Sequence, residues 1–320
     1  MPTSPEIVLV GSGQLGSRYL QGLVAVDIPL SINVVDPSFA SLTVARERLS
    51  QVSQASEHVV QFSTNYNYVP EKIDLALIVT PAHCRARVVA DLASQCHVKT
   101  WILEKVLAQS SDQLDQINQV FTSNCQVWVN TPRRLMAWHQ AIRTQLMPVG
   151  PEPLRVYVRG GSWGLACNAI HFIDLVSWWT QSRVLSVNVA GLGDWGKSKR
   201  VGFQEVFGSL RVSYEDGSEM ELNCHSGVEP TQITVATPNG QWKIDESLGR
   251  ATGPVGQHLH GQMTLQSALM PSLVMQILKG EGCDLPTLTD SIDQHRPFLA
   301  ALLKHWNRTH GCQDLVVPVT

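Results

Sequence analysis

The stretch "EIVLVGSGQLGSRYL", residues 6–20, decides the fold. Ile7 to Val10 run without a polar break and stop at Gly11, which reads as a strand buried on both faces. "LGSRYLQGLVAV" follows with the apolar spacing of a helix. At the junction Gly11, Gly13 and Gly16 stand in the spacing G-x-G-x-x-G. Gly11 permits a tight turn, Gly13 lets the backbone approach a pyrophosphate, and Gly16 lets helix and strand pack closely. A glycine-rich turn with no ligand is the plainer reading. Asp36 counts against it, since it ends the next apolar run, "SINVVDPS", about 20 residues past the motif, where a carboxylate accepts from ribose hydroxyls. A carboxylate repels a 2′-phosphate, and Pro37 and Ser38 place no Arg beside it, so NAD is expected and NADP is less favoured.

Outward from this motif, strand and helix alternate. The runs "HVVQFST", "KIDLALIVTP", "KTWILEK" and "CQVWVN" read as strands; "SLTVARERLSQV", "CRARVVADLASQC" and "SSDQLDQINQVFTS" read as helices. Apolar strands separated by helices imply a doubly wound parallel sheet, a Rossmann domain. After "RRLMAWHQAIRTQL" the pattern changes. A β-rich block runs from about residue 183 to 246 and carries two hairpin signals, "YEDGSE" (214–219) and "TPNGQ" (237–241). Two helical runs follow. The expected architecture is a dinucleotide-binding domain, residues 1–131, and an α+β domain, residues 132–320, with a large open, mainly antiparallel sheet for substrate binding and oligomerisation.

Composition removes other classes. The 320 residues are 43% hydrophobic and 16% charged with net charge −3, so neither nucleic acid nor an anionic membrane is an expected partner. No apolar run approaches the roughly 20 residues of a membrane span. The start "MPTSPEIVLVG" lacks a basic stretch ahead of a long apolar one, so no secretory leader is expected. Seven scattered cysteines without a C-x-x-C pair fit a reduced, cytoplasmic setting better than disulfides, and no metal site is expected; "QHLHGQ" (257–262) is read as a loop.

Two further stretches bear on chemistry. "WILEKVLAQSSDQL" ends a strand with Glu104-Lys105, where an ammonium can bond a substrate oxygen; a surface ion pair explains the residues equally well. "WGLACNAIHFIDLVSWW" is an apolar helix with His171 in its middle, and a core histidine is its plain reading. Taken together, "GSGQLGSRYLQGL", "VVDPS", "LIVTPAH", "LEKVLA", "NTPRR" and "GLACNAIHFIDL", in this order, resemble the Gfo/Idh/MocA family of NAD(P)-dependent oxidoreductases over nearly the whole chain. The resemblance implies hydride transfer at a secondary alcohol of a sugar, cyclitol or sugar derivative. It implies cofactor contacts from Gly11, Gly13, Gln14, Leu15, Gly16, Asp36, Thr80, Pro81 and Glu104, with Lys105 and His171 as the active-site Lys and His converging from the two domains. An unperturbed histidine pKa near 6.5 would suit proton exchange with a carbinol.

The chain departs from the family pattern. Val106 stands where Pro usually follows the Lys, so a trans bond is expected there. Cys167 replaces the Asp often found four residues before the His, and Ala82 and Arg85 replace the usual Asn and His after Thr-Pro. A relay through that Asp cannot operate; Asn168 is then expected to position substrate through its amide, and Cys167→Asp to restore the usual carboxylate. Asp174, at i+3 from His171, could orient the imidazole or contact substrate, or be a helix-face carboxylate. Arg134, beside Arg133, could clamp an anionic substrate, though an ion pair explains it as well. The expected assembly is a homodimer or homotetramer, formed through an apolar and small-residue face on strands 204–214 and 219–225. The competing reading is a non-catalytic nucleotide-binding regulator.

Overall fold

A computed structural model describes residues 4–121, 125–146 and 153–320. The chain divides into two compact units: Met1–Glu104, Asp115–Asn130 and Thr264–Leu288 form the first, and Lys105–Leu114, Thr131–Met263 and Thr289–Thr320 the second.

The first unit holds strands β1 (Glu6–Val10), β2 (Ser31–Val35), β3 (Val59–Ser63), β4 (Lys72–Ile78), β5 (His97–Glu104) and β6 (Gln126–Asn130). Their order is β3-β2-β1-β4-β5-β6, and every pairing is parallel. The order reverses between β1 and β4, which opens a crevice at the carboxyl ends of those strands. The central strands are apolar because both faces are covered: Ile7, Val8, Leu9, Leu75, Ala76 and Leu77 are wholly buried. Helices α1 (Gly16–Leu23), α2 (Phe39–Leu49), α3 (Ala82–Gln95) and α4 (Ser111–Val120) connect the strands. The end of the expected helix at 110–123 lies outside the described residues.

The second unit carries α5 (Ala137–Leu146), β7 (Arg155–Gly161), α6 (Leu165–Thr180), β8 (Val184–Lys197), β9 (Gln204–Tyr214), β10 (Glu219–His225), β11 (Gln232–Thr237), β12 (Gly240–Asp245), β13 (Arg250–Thr252) and β14 (His258–His260). The eight strands form one sheet, β14-β13-β12-β11-β7-β10-β9-β8; only β7–β10 pair in parallel. Both expected hairpins form, with Gly217 and Gly240 at φ +86° and +125°, where L side chains are disfavoured. α6 packs on β9 and β10. It covers the apolar alternation Leu210, Val212, Met220, Leu222 and Cys224.

The opposite face corrects an expectation. Besides the small Ser209 and Ser213 and the large apolar Tyr157 and Phe207, it presents Arg155, Arg159, Arg211, Glu219 and Glu221. Arg211–Glu221 (3.1 Å) and Arg155–Glu219 (3.3 Å) pair across neighbouring strands, so alternation put charge, not carbon, on this side.

Helix α7 (Gln266–Leu278) groups with the first unit, although the expected second domain included it. The cause is close packing on α1, where a Cβ on Gly22 would lie 2.6 Å from that of Met270. Helix α8 (Leu288–His310) belongs to the second unit apart from its first residue. Among the described residues no helix is long and apolar enough to cross a membrane.

Candidate active site

In the first unit the glycine loop is shaped for a ligand. Gly11 has φ +93°, and a Cβ there would sit 2.8 Å from the Val79 carbonyl oxygen. A Cβ on Gly16 would meet the Gly11 carbonyl oxygen at 1.9 Å, whereas one on Gly13 would meet nothing within 4 Å. Gly16 is therefore needed for packing, and Gly13 leaves open space over the loop. Asp36 is buried; its two oxygens accept from Ser12 N (2.7 Å) and Ser38 N (2.9 Å), which ties the carboxylate to the loop. Each oxygen retains accepting capacity for a ribose hydroxyl. The hydroxyls of Ser12 and Thr80, at the carboxyl ends of β1 and β4, are buried and find no partner in the chain. These observations fit a dinucleotide. Arg48 on α2 donates to the Gln14 carbonyl (2.9 Å), the Ser17 hydroxyl (2.6 Å) and the Gln14 side chain, and fixes the loop from outside. Leu15 begins the turn into α1.

Thr80 and Pro81 lead into α3, and the buried Arg85 donates to the Thr80 carbonyl. Glu104 ends β5 fully inside the unit. Its carboxylate accepts from the Tyr19 hydroxyl and from Asn130 Nδ2 (2.6 Å), and Asn130 Nδ2 also reaches Gln266 (3.0 Å). Burial and the adjacent Glu104 hold the Tyr19 phenol well above its usual range. Glu104 is thus an internal acceptor that anchors β5, which a motif alone does not reveal.

In the second unit the start of α6 gathers the remaining candidates. Lys105 Nζ donates to Asn168 Oδ1 (2.9 Å) and to the Cys167 carbonyl (3.2 Å). Asn168 Nδ2 donates to the Trp163 carbonyl (2.7 Å), so its amide is held at both ends. Gly164, at φ +79°, begins the helix; a Cβ there would stand 3.0 Å from both Asn168 Nδ2 and a Glu205 oxygen. His171 lies one turn further on and is part-buried, with Nδ1 sealed and without a partner. Burial, then the charges of Lys105, Arg133 and His295, push its pKa well below 6.5. The imidazole is neutral, which corrects the expectation of an unperturbed group.

The Lys105–Val106 peptide is cis, against the expectation drawn from the missing proline. Local preference does not decide this bond. Val106 to Ala108 are wholly buried, and Leu107 N donates to His295 Nε2 (3.0 Å).

Two expected substrate contacts belong elsewhere. Asp174 is wholly buried and accepts from Arg134 through Nε (2.9 Å) and a terminal nitrogen (2.5 Å), from Thr131 (2.7 Å) and from Gln294 (3.1 Å). Neither Asp174 nor Arg134 is brought to His171; the pair satisfies each other inside the unit. Arg133 makes a second bidentate pair with Glu246 (2.7 and 2.7 Å), joined by His139 (3.0 Å). A cavity of about 450 Å³ lined by Arg134, Arg143, Trp178 and Asp293 lies at the last turn of α6, away from Lys105 at its first. Among the described residues no group of three or more His, Cys, Asp or Glu is placed to hold a metal.

Glu205 went unnoticed in the sequence. It comes from β9 yet accepts from Ala166 N and Cys167 N (3.4 Å), at the first turn of α6. No motif marks it, and alternation along β9 would put it on the face opposite Val206, Leu210 and Val212.

The fold has counterparts among solved structures. UDP-N-acetylglucosamine 3-dehydrogenase from Acidithiobacillus ferrooxidans superposes with a TM-score of 0.69 at 14% identity, covering 94% of this chain and 96% of that one. Scyllo-inositol dehydrogenase from Lactobacillus casei, solved with NAD(H) and scyllo-inositol, gives 0.65 at 18% identity, covering 95% and 98%. A Gfo/Idh/MocA family oxidoreductase from Vibrio cholerae gives 0.66 at 16% identity, covering 96% and 100%. The chain has the Gfo/Idh/MocA fold. At the level of sequence, no family model and no curated protein matches it.

Proposed function

We propose that this protein is an NAD-dependent oxidoreductase of the Gfo/Idh/MocA type, acting on a secondary alcohol of a sugar, cyclitol or sugar derivative. The observation that carries the reading is the Lys105 ammonium held by Asn168 and the Cys167 carbonyl at the start of the helix bearing His171. Asp36 and the open face of Gly13 support NAD as the partner of the first unit. When bound, the dinucleotide supplies the hydride acceptor for R₂CH–OH + NAD⁺ → R₂C=O + NADH + H⁺. The chain's own residues handle the proton and the charge. A neutral His171 accepts the hydroxyl proton, and Lys105 stabilises the oxygen as negative charge develops on it. The exchange of these two roles is an equivalent assignment. The lowered pKa of His171 means that it passes the proton on rather than keeping it. Two copies are proposed to associate through the open face of the second unit's sheet.

Calorimetric titration with NAD⁺ and NADP⁺, then turnover of a polyol panel followed by reduced nicotinamide absorbance, tests the reading. NAD⁺ should bind more tightly. Lys105→Ala and His171→Ala should each lower turnover by roughly a hundredfold or more with NAD⁺ affinity nearly unchanged. Tight NAD⁺ binding without turnover of any polyol would move the assignment to the non-catalytic regulator.

A further inference from the structure

We infer that Glu205 is a positioning residue of the proposed reaction: its carboxylate fixes the first turn of α6, and that turn holds the Lys105 ammonium. The inference rests on the oxidoreductase reading for its catalytic part, while the structural coupling stands on this unit's own contacts.

Helix α6 starts without a cap of its own. Gly164 has no side chain to offer, and the first turn contains no acidic residue. Its first amides need an acceptor, and an anion is favoured at a helix start. Glu205 supplies both from another element, accepting from Ala166 N and Cys167 N. The next peptide along is the one that matters for chemistry. The Cys167 carbonyl and the Asn168 side chain both accept from Lys105 Nζ. A shift of this turn therefore moves both acceptors at once.

The groups facing the Glu205 carboxylate are thiols, Cys167 from α6 and Cys224 from β10. Burial pushes the Cys167 thiol up to about 11, and it raises Cys224 as well, so both stay protonated and neutral. The Thr320 backbone hydrogen-bonds the Cys167 thiol from the other side. Burial also raises the Glu205 carboxyl above its ordinary value. Protonation of Glu205 on acidification would remove the anion from the helix start and loosen the hold on Lys105.

The experiment compares wild type, Glu205→Asp and Glu205→Gln as full chains. Competitive acylation read by mass spectrometry at Lys105 reports how firmly the ammonium is held, whether or not a substrate is known. The acid limb of the turnover profile reports the catalytic consequence. Lys105 labelling should be about threefold faster in Glu205→Asp, which keeps the charge one methylene short, and about tenfold faster in Glu205→Gln, a loss on the scale of a hydrogen bond to a charged group. The acid limb should flatten only in Glu205→Gln. Circular dichroism and urea denaturation serve as the fold control, and if the Gln variant does not fold, the Asp variant against wild type decides. Equal labelling in wild type and the folded variants overturns the inference. A wild type that turns over no polyol, with the labelling order kept, overturns the oxidoreductase reading and leaves the coupling in place.

Discussion

At Cys167 the sequence resemblance leads to the expectation of an aspartate, and the surroundings decide what a carboxylate would do there. The thiol already contacts the Glu205 carboxylate and is held protonated by burial. A second carboxylate at this position would face the first at short range, and two such groups cannot both ionise without a large penalty. Cys167→Asp is therefore expected to lower the melting temperature and to fall below wild type in turnover, opposite to the expectation from sequence. In Cys167→Asp combined with Glu205→Gln the loss should be smaller than in Cys167→Asp alone; a single variant as stable as wild type would count against this. What is legible at this scale is where the motif-marked residues lie. Asp36 binds the loop beside it, and Lys105 and Asn168 meet because strand end and helix start are both motif-marked. The pairing of Asp174 with Arg134 spans 40 positions of chain, which no spacing rule encodes.

At the scale of elements, the strand–turn–helix of residues 6–23 was legible because each glycine there meets a different constraint. Gly13→Ala points its methyl into open space, so folding should be unaffected while NAD⁺ affinity falls through collision with the pyrophosphate. Gly16→Ala drives a methyl against the Gly11 carbonyl at 1.9 Å. It should destabilise the first unit by about 1–3 kcal/mol, as overpacking does. Urea denaturation and calorimetric titration on both variants separate the two; equal loss of stability in both would remove the distinction. The six parallel strands and both hairpins were readable from apolar runs and turn residues. The placement of α7 was not, since its apolar face fits either unit and only the close approach at Gly22 selects α1.

At the scale of the whole molecule, acid should act through histidines whose pKa burial lowers, His58 in the first unit and His139, His171 and His305 in the second. His139 and His171 both have folded pKa values lowered from 6.5, chiefly by burial. The unfolded chain then binds more protons below 6.5, so their stabilising effect is complete above that value and lost as pH falls through the window beneath it. Glu246, held at about 2 against 4.5 by Arg133 and His139, adds a further loss below 4.5. Glu205, raised by burial, works in the opposite sense above 4.5. Urea midpoints should be level above pH 6.5 and decline below it, less so in His171→Gln; midpoints that rise on acidification would refute the assignment. The proposed assembly would use the charged sheet face. Tyr157 and Phe207 supply its apolar contact, while Arg155, Arg159, Arg211, Glu219 and Glu221 surround them with both signs. A two-fold pairing brings this patch against itself, so Arg of one copy meets Glu of the other. Such contacts are screened as the Debye length falls from about 10 Å at 0.1 M salt to about 3 Å at 1 M. Light scattering at micromolar concentration should therefore give a dimer mass in low salt that declines as salt is raised, and Tyr157→Glu should lower it further. A monomer mass in low salt would rule out this interface, and a dimer indifferent to both salt and Tyr157→Glu would place the contact on another surface.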